Sequence, residues 1–350
     1  MEVDYIIVGQ GIAGTVLADH LLNTNHSVLV YDEASLSNSS KVAGGLYNPI
    51  TGRKMVKTWL ADALFPYLIS YYTDLQDRLG TRFLMETPIY RPFLSVEELN
   101  EWMGKSAEPG FQPFILEVKG GSAFGDHIKD DFGGLLLAQS GYVDTAELVK
   151  AYREYLLAQS ALIEQSFDTS KLEITADGVR YDGHSAGKVI FCDGPVLRSN
   201  AYFDWLPLSP VKGELLYIKV NEPFRAIYNR GVFIIPIGDG ICKVGATYDH
   251  HNLDSITTQR AKKQLLEKLS ELIRVPFEVV GQVAGVRPAT KDRRPFVGVH
   301  PEHKALAVFG GLGTKGVSLA PYFARQFVEH MTKRTELHEE VNIQRFFSLY

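Results

Sequence analysis

Residues 4–22 read DYIIVGQGIAGTVLADHLL. Asp4 to Val8 has the composition of a buried strand, Ile12 to Leu22 has helical apolar spacing, and Ser27 to Tyr31 is a second strand-like run. Between the first strand and the helix, Gly9-Gln10-Gly11-Ile12-Ala13-Gly14 satisfies G-x-G-x-x-G where that pattern has a mechanism. Gly9 permits the tight turn, Gly11 lets a pyrophosphate approach the backbone, and Gly14 lets helix and strand pack closely. Asp32 ends the second strand, where a carboxylate can accept hydrogen bonds from the ribose hydroxyls of an adenosine. The stretch predicts the βαβ opening of a dinucleotide-binding fold. FAD, NAD and NADP are open on this turn alone, with the acid disfavouring NADP.

A second glycine-dense turn stands near the other end, in AVFGGLGTKGVSLAP, residues 307–321. It reads as a strand, a turn and a helix start. Backbone N–H groups along Gly311, Leu312, Gly313, Thr314, Lys315, Gly316, Val317 and Ser318, with the positive end of the helix, can face an anion. The Lys315 ammonium can reinforce them. NAD needs no second anion site so far along the chain, whereas the N1–C2=O edge of a flavin gathers negative charge on reduction. On this reading one turn holds the pyrophosphate and the other the redox ring; the simpler alternative for the second is an αL-glycine connection between strand and helix.

The 350 residues exceed one comfortable core, so two domains are expected. With 45% hydrophobic and 22% charged residues, a net charge of -5 and a pI of about 6.1, the composition argues against a broadly basic nucleic-acid surface. No apolar run approaches the roughly 20 residues of a membrane span. The N-terminus lacks signal-peptide features, and Cys192 and Cys242 fall in separate strand-like runs, as buried thiols would. A reducing cytoplasm is the expected compartment.

Helical spacing runs from Leu60 to Leu79, around Ser95 to Met103, over Thr145 to Gln159 behind an Asp144 cap with Glu147 at capping-box spacing, and over Thr258 to Arg274. Short strands are expected at Ala161 to Phe167, Lys171 to Thr175, Val179 to Tyr181 and Lys188 to Cys192. Val211 to Val220, Gly231 to Ile237 and Ile241 to Thr247 read as antiparallel strands, the last two joined by Gly238-Asp239-Gly240. This order predicts an α/β chain of two interleaved domains. A Rossmann-like FAD-binding domain with a parallel sheet takes residues 1–80, 141–210 and 286–350; a mostly antiparallel substrate domain takes 81–140 and 211–285.

In these stretches the chain resembles the D-amino-acid-oxidase superfamily of FAD-dependent oxidoreductases, especially glycine oxidase and the oxidase domain of the bifunctional tRNA wobble-uridine modification enzyme. The resemblance spans nearly the whole length and is carried by IIVGQGIAG, AGGLYNP, PVKGE, GATYD and GVRPATKDRRPFVG followed by GLGTKGVSLAP. It implies non-covalent FAD held by Gly9, Gly11, Ile12, Ala13, Gly14, Asp32, Glu33, Ser39, Ser40, Gly44, Gly45, Leu46, Phe167, Gly194 and the 312–318 turn. No cysteine stands near Arg287 to tether a flavin. Taken alone, Gly44-Gly45 would read as a flexible turn. The resemblance places Arg287 beside the ring as the arginine that binds a substrate carboxylate. By residue type alone it is equally a structural ion-pair partner, although a guanidinium suits a carboxylate through two parallel N–H bonds. Tyr248 matches the tRNA-modifying enzyme, where glycine oxidase has methionine. Phe233 replaces a carboxylate-binding tyrosine of glycine oxidase, which disfavours glycine itself.

The implied chemistry is oxidation of a C–N bond in a small amino acid or N-substituted glycine-like amine, by hydride transfer to flavin N5 and hydrolysis of the imine. Arg287 and Tyr248 are the candidate catalytic pair, and oxygen or a carrier is the electron acceptor. A second reading is oxidative removal of a glycine-derived arm from a tRNA uridine, with Arg53, Lys54, Lys57, Lys291, Arg293 and Arg294 as an RNA surface; a third is a flavoprotein without turnover. His250 and His251 read as surface loop.

Overall fold

The computed structural model describes residues 1–33, 39–52 and 54–350; Arg53, one of the basic candidates, lies outside them. Strand Glu2–Val8 is the hub of the first sheet. It pairs in parallel with Val28–Tyr31 on one side and with His184–Phe191 on the other. The outer end of His184–Phe191 pairs antiparallel with Gly178–Tyr181, while its last residues pair in parallel with Leu306–Gly310. Both glycine turns therefore leave the same edge of one sheet, each at the carboxyl end of a strand, where open α/β sheets place their ligands.

Helix Ile12–Leu22 follows the first turn and carries Val16, Leu17, Ala18 and Leu21 with no exposed surface. It is buried against helix Gly316–Lys333, which follows the second turn. The two helix starts touch: a Cβ on Gly316 would lie 3.3 Å from Cγ2 of Ile12.

The second sheet has eight strands, in the order Phe277–Arg287, Val211–Val220, Ile241–Gly245, Val232–Gly238, Ile227–Arg230, Ile89–Pro92, Gly134–Leu137 and Ile115–Lys119. It is antiparallel apart from the pairing of Ile227–Arg230 with Ile89–Pro92. The Gly238-Asp239-Gly240 turn has positive φ at all three residues, as its composition predicted. The expected α/β fold, with a parallel-containing sheet and a large antiparallel one, is present.

Some elements are shorter than their pattern. Helix Gln259–Ser270 is capped by the Thr258 side chain and ends before Arg274, because Pro276 disfavours helix at the residue ahead of it and Ile273 instead bridges to Ile128. Of Ala161 to Phe167 just Leu162–Ile163 is strand, since Phe167 turns into an aromatic cluster, stacked on Tyr181 with centroids 3.8 Å apart. Asp144 caps helix Thr145–Ala158 through the N–H groups of Ala146 and Glu147 (both 3.2 Å). The reciprocal half of the box is absent: Phe83 C=O takes the Asp144 N–H at 2.8 Å. Cys192 and Cys242 are buried free thiols. No helix among the described residues is long and apolar enough to cross a membrane.

Candidate active site and cofactor cradle

At the first turn the glycines are obligatory for space. A Cβ on Gly14 would lie 1.8 Å from Gly9 O, and one on Gly9, whose φ is +97°, would lie 2.7 Å from Cys192 O. Helix Ile12–Leu22 has no acidic residue in its first turn, so none of its own side chains offsets its positive end. Ser40 Oγ stands over this end, accepting the Ile12 N–H at 3.0 Å and lying 3.1 Å from where a Gly11 Cβ would project. Ala13 and Gly14 are buried in the turn's helical limb.

Asp32 lies beside this turn: Oδ1 accepts the Gln10 N–H at 2.8 Å, and Oδ2 accepts Arg153 Nη1 at 2.8 Å. Arg153 also reaches Gln10 Oε1 (3.2 Å), Asp32 O (3.3 Å) and Glu164 Oε1 (2.8 Å). Glu33 accepts a hydrogen bond from Ser166. Phe167 lies close by in the aromatic cluster with Tyr31, and Gly194, at φ +58°, opens a 3₁₀ turn after the central strand. Just before it, Asp193 Oδ1 is buried with no partner among the described residues, and burial pushes the carboxyl up to about 6.

The second turn has the same character. Gly311 and Gly313 have φ of +67° and +57°, and helix Gly316–Lys333 has neither a side-chain cap nor an acid in its first turn. Leu312, Val317 and Ser318 are buried and Thr314 is exposed. Lys315 is the residue at the cap position. Its ammonium meets Thr58 Oγ1 at 3.2 Å; burial first, then Arg294 and Arg293, bring its pKa down to about 8. Thr58 Oγ1 in turn donates to Asn48 O at 2.9 Å, which ties this turn to AGGLYNP.

The remaining motifs close on the same place. Gly313 N–H donates to Pro288 O at 3.0 Å, joining the turn to the segment after Arg287. The Arg287 guanidinium lies over Gly213 of PVKGE, where a Cβ would come within 2.0 Å of Nη2. Nη1 donates to Thr247 O at 3.1 Å, and the exposed Tyr248 ring stacks 4.9 Å from the guanidinium carbon. Among the described residues no carboxylate pairs with Arg287, and burial lowers its pKa, with Tyr248 opposing. The Phe233 ring lies between Gly44 and Gly245, 2.8 Å from where a Cβ on either would stand. Gly45, at φ +67°, packs on Val143 O, and Leu46 pairs beside Gly141–Val143. Gly285 leaves room for Val42 and Ser39.

Alternation along strand Val211–Val220 explains the PVKGE pattern. Gly213 faces the guanidinium; Lys212 and Glu214 face the other way, both buried. Glu214 accepts from the Thr258 N–H and hydroxyl (both 2.8 Å) and from Gln282 Nε2 (2.7 Å), and Lys212 pairs with Asp254. The loop after Tyr248 is thereby strapped to the strand beneath Arg287. His250 and His251 are exposed on that loop.

A βαβ cradle whose helix start carries no acid abuts a second helix start with neither cap nor acid, and beside it lies a half-buried arginine that no carboxylate pairs with among the described residues; the arrangement suits an anionic nucleotide cofactor. The family described as FAD dependent oxidoreductase (DAO) matches residues 4–330, and the chain belongs to it. It is 25% identical to glycine oxidase of Pseudomonas putida over 362 residues, covering 95% of each protein. It is 22% identical over 382 residues to the tRNA 5-methylaminomethyl-2-thiouridine biosynthesis bifunctional protein of Shewanella amazonensis, covering 94% of this chain and 56% of that one. The crystal structure of glycine oxidase from Geobacillus kaustophilus shares the fold, with a TM-score of 0.75 at 22% identity over 99% of this chain and 98% of that one. The protein is an FAD-dependent oxidoreductase, and the glycine cradle and acid-free helix starts fit that cofactor.

Proposed function

We propose that the enzyme oxidises the C–N bond of a small amino acid or N-substituted glycine-like amine that carries a carboxylate. The observation that supports this is Arg287: a half-buried cation, given room by Gly213, with one backbone acceptor and, among the described residues, no acid. A buried charge left uncompensated is costly, by several kcal/mol in general, so such a site favours an anionic ligand. The similarity to glycine oxidase supports the same class.

FAD, when bound, supplies the two-electron acceptor for the hydride of the substrate Cα–H bond. The Gly9–Gly14 turn and Ser40 would hold its pyrophosphate, Asp32 its adenosine ribose, and the Gly311–Ser318 turn its ring. Arg287 would grip the substrate carboxylate through parallel N–H bonds, fixing the Cα–H in one direction; positioning of this kind supplies much of the rate. Tyr248 covers the guanidinium from the solvent side. Phe233 and Leu215 give that sheet face an apolar wall that excludes water, and Phe233 has no hydroxyl with which to bind the small carboxylate of glycine. No base is needed if the amine arrives neutral. Lys315 remains mostly protonated at neutral pH and keeps positive charge beside the ring's turn. Water hydrolyses the imine product, and oxygen or a carrier accepts the electrons.

The tRNA reading draws on the Shewanella relative and on Tyr248. Of its basic candidates, Lys57 pairs with Asp62 and Arg294 with Glu340, which favours the small-molecule substrate over a polyanion. Anaerobic mixing of the yellow protein with N-substituted glycines, D-amino acids, proline and modified tRNA tests the choice. Bleaching by a small carboxylate-bearing amine is expected; bleaching by tRNA alone would refute it.

A further inference from the structure

Arg153 lies on helix Thr145–Ala158, far from both glycine turns in sequence, and has no part in the reading above. Its side chain is 15% exposed and that of Asp32 14%, so the pair is largely shielded from water. It binds Asp32 twice, at Oδ2 and at the backbone carbonyl, and also grips Gln10 and Glu164. The other side-chain oxygen of Asp32 is held by the Gln10 N–H. The Gln10 side chain is fixed in turn by donating to Thr15 Oγ1 (3.0 Å) and to Val149 O (2.9 Å) on the helix that carries Arg153.

A carboxylate has about four lone-pair sites. Among the described residues the Asp32 side chain uses one on each oxygen, both on fixed donors. One site on each oxygen is left, with its direction set. Two acceptor sites side by side match the vicinal hydroxyls of an unphosphorylated ribose. Arg153 is committed to Asp32 and Glu164, and with Glu33 next in sequence the carboxylates around it disfavour a phosphorylated ribose.

We propose that Arg153 is the positioning residue of the ribose subsite: it locks the Asp32 carboxylate into the orientation that reads the adenosine diol, without touching the sugar itself. The proposal rests on the reading that Asp32 binds the ribose of FAD. Sequence alone presents Arg153 as an exposed-face charge of an amphipathic helix.

The test uses apoprotein prepared by releasing FAD from the holoenzyme. FAD rebinding, followed by quenching of flavin fluorescence, is competed with ADP and with 2′-deoxy-ADP. Wild type should prefer ADP by roughly tenfold, the worth of a hydrogen bond to a charged acceptor. Arg153→Ala should reduce that preference to roughly twofold or less, and Arg153→Lys, which keeps the charge but loses the fork, should fall between. Asp32→Ala should abolish the preference and so checks the underlying reading separately; a full preference in that variant would refute Asp32 as the ribose acceptor. If Arg153→Ala and Arg153→Lys weaken both nucleotides equally and keep the wild-type preference, Arg153 is merely structural and the proposal is overturned.

Discussion

The two ends of the proposed cofactor crevice treat charge in opposite ways. At the proposed adenosine end, Asp32 is charge-paired and oriented by protein partners, with one acceptor site left on each oxygen: Oδ1 takes the Gln10 N–H and Oδ2 takes Arg153, itself shared with Glu164. At the proposed ring end, Arg287 and Lys315 are half-buried and, among the described residues, each meets one neutral oxygen. The first arrangement has its charge paired before any ligand arrives and can afford a neutral, hydrogen-bonding partner such as a sugar. The second is incomplete, and the electrostatic cost of burial is relieved when an anion enters. One end is built for orientation and the other for charge.

The largest test of this contrast is removal of the uncompensated guanidinium. Arg287→Ala should lower kcat/KM for carboxylate-bearing amines by roughly 10³-fold, the scale of a buried charge pair, while amines without a carboxylate lose far less. Equal losses measured on both substrate types would remove Arg287 from substrate binding.

Asp193 breaks the pattern: its Oδ2 accepts Asn200 Nδ2 at 3.3 Å, but among the described residues it meets no cation and its buried Oδ1 has no partner. Its folded pKa of about 6 lies above the ordinary 3.8, so the folded state binds more protons between those values and stability falls as pH rises through that window. The penalty is complete above the folded pKa. Asp193→Asn should therefore raise stability by about 3 kcal/mol at about pH 8 and leave it unchanged near pH 4. Denaturant unfolding at both pH values would show this, and a gain equal at both would contradict it.

A smaller effect belongs to Lys315. Its pKa is depressed to about 8 in the free site, so the charged form that an anionic ring edge favours is full below that value and lost above it. Affinity of the apoprotein for reduced FAD, measured anaerobically, should weaken roughly tenfold for each unit above about pH 8, until the bound-state pKa is reached. Lys315→Met should flatten the profile. An unchanged slope in the variant would place the responsible group elsewhere.

The glycine turns were legible because their constraint is local: Gly9 and Gly14 sit within a few residues of the strand and helix they join, and no other residue fits there. Arg287 was legible as a candidate, but its freedom from an acid was not, since that depends on every neighbour in space. Gly213 shows why PVKGE has its form, yet its partner Arg287 is contributed by the neighbouring strand. Arg153 was missed because its partner Asp32 is 121 positions away, and a helix-surface arginine carries no local signal. The parallel pairing of Ile227–Arg230 with Ile89–Pro92 was hidden for the same reason: short strands declare their partners through long-range contacts alone. Helix ends were misjudged where proline chemistry and a bridge to Ile128 outweighed an amphipathic pattern.

Ligand selection at the proposed ring end rests on the guanidinium of Arg287, which no carboxylate pairs with among the described residues. Methoxyacetate, a carboxylate without an oxidisable amine, should perturb the flavin absorption spectrum of the holoenzyme saturably, and its amide should not. Arg287→Met should abolish the perturbation. A perturbation of equal size and affinity from acid and amide, or one that survives in Arg287→Met, would contradict the claim.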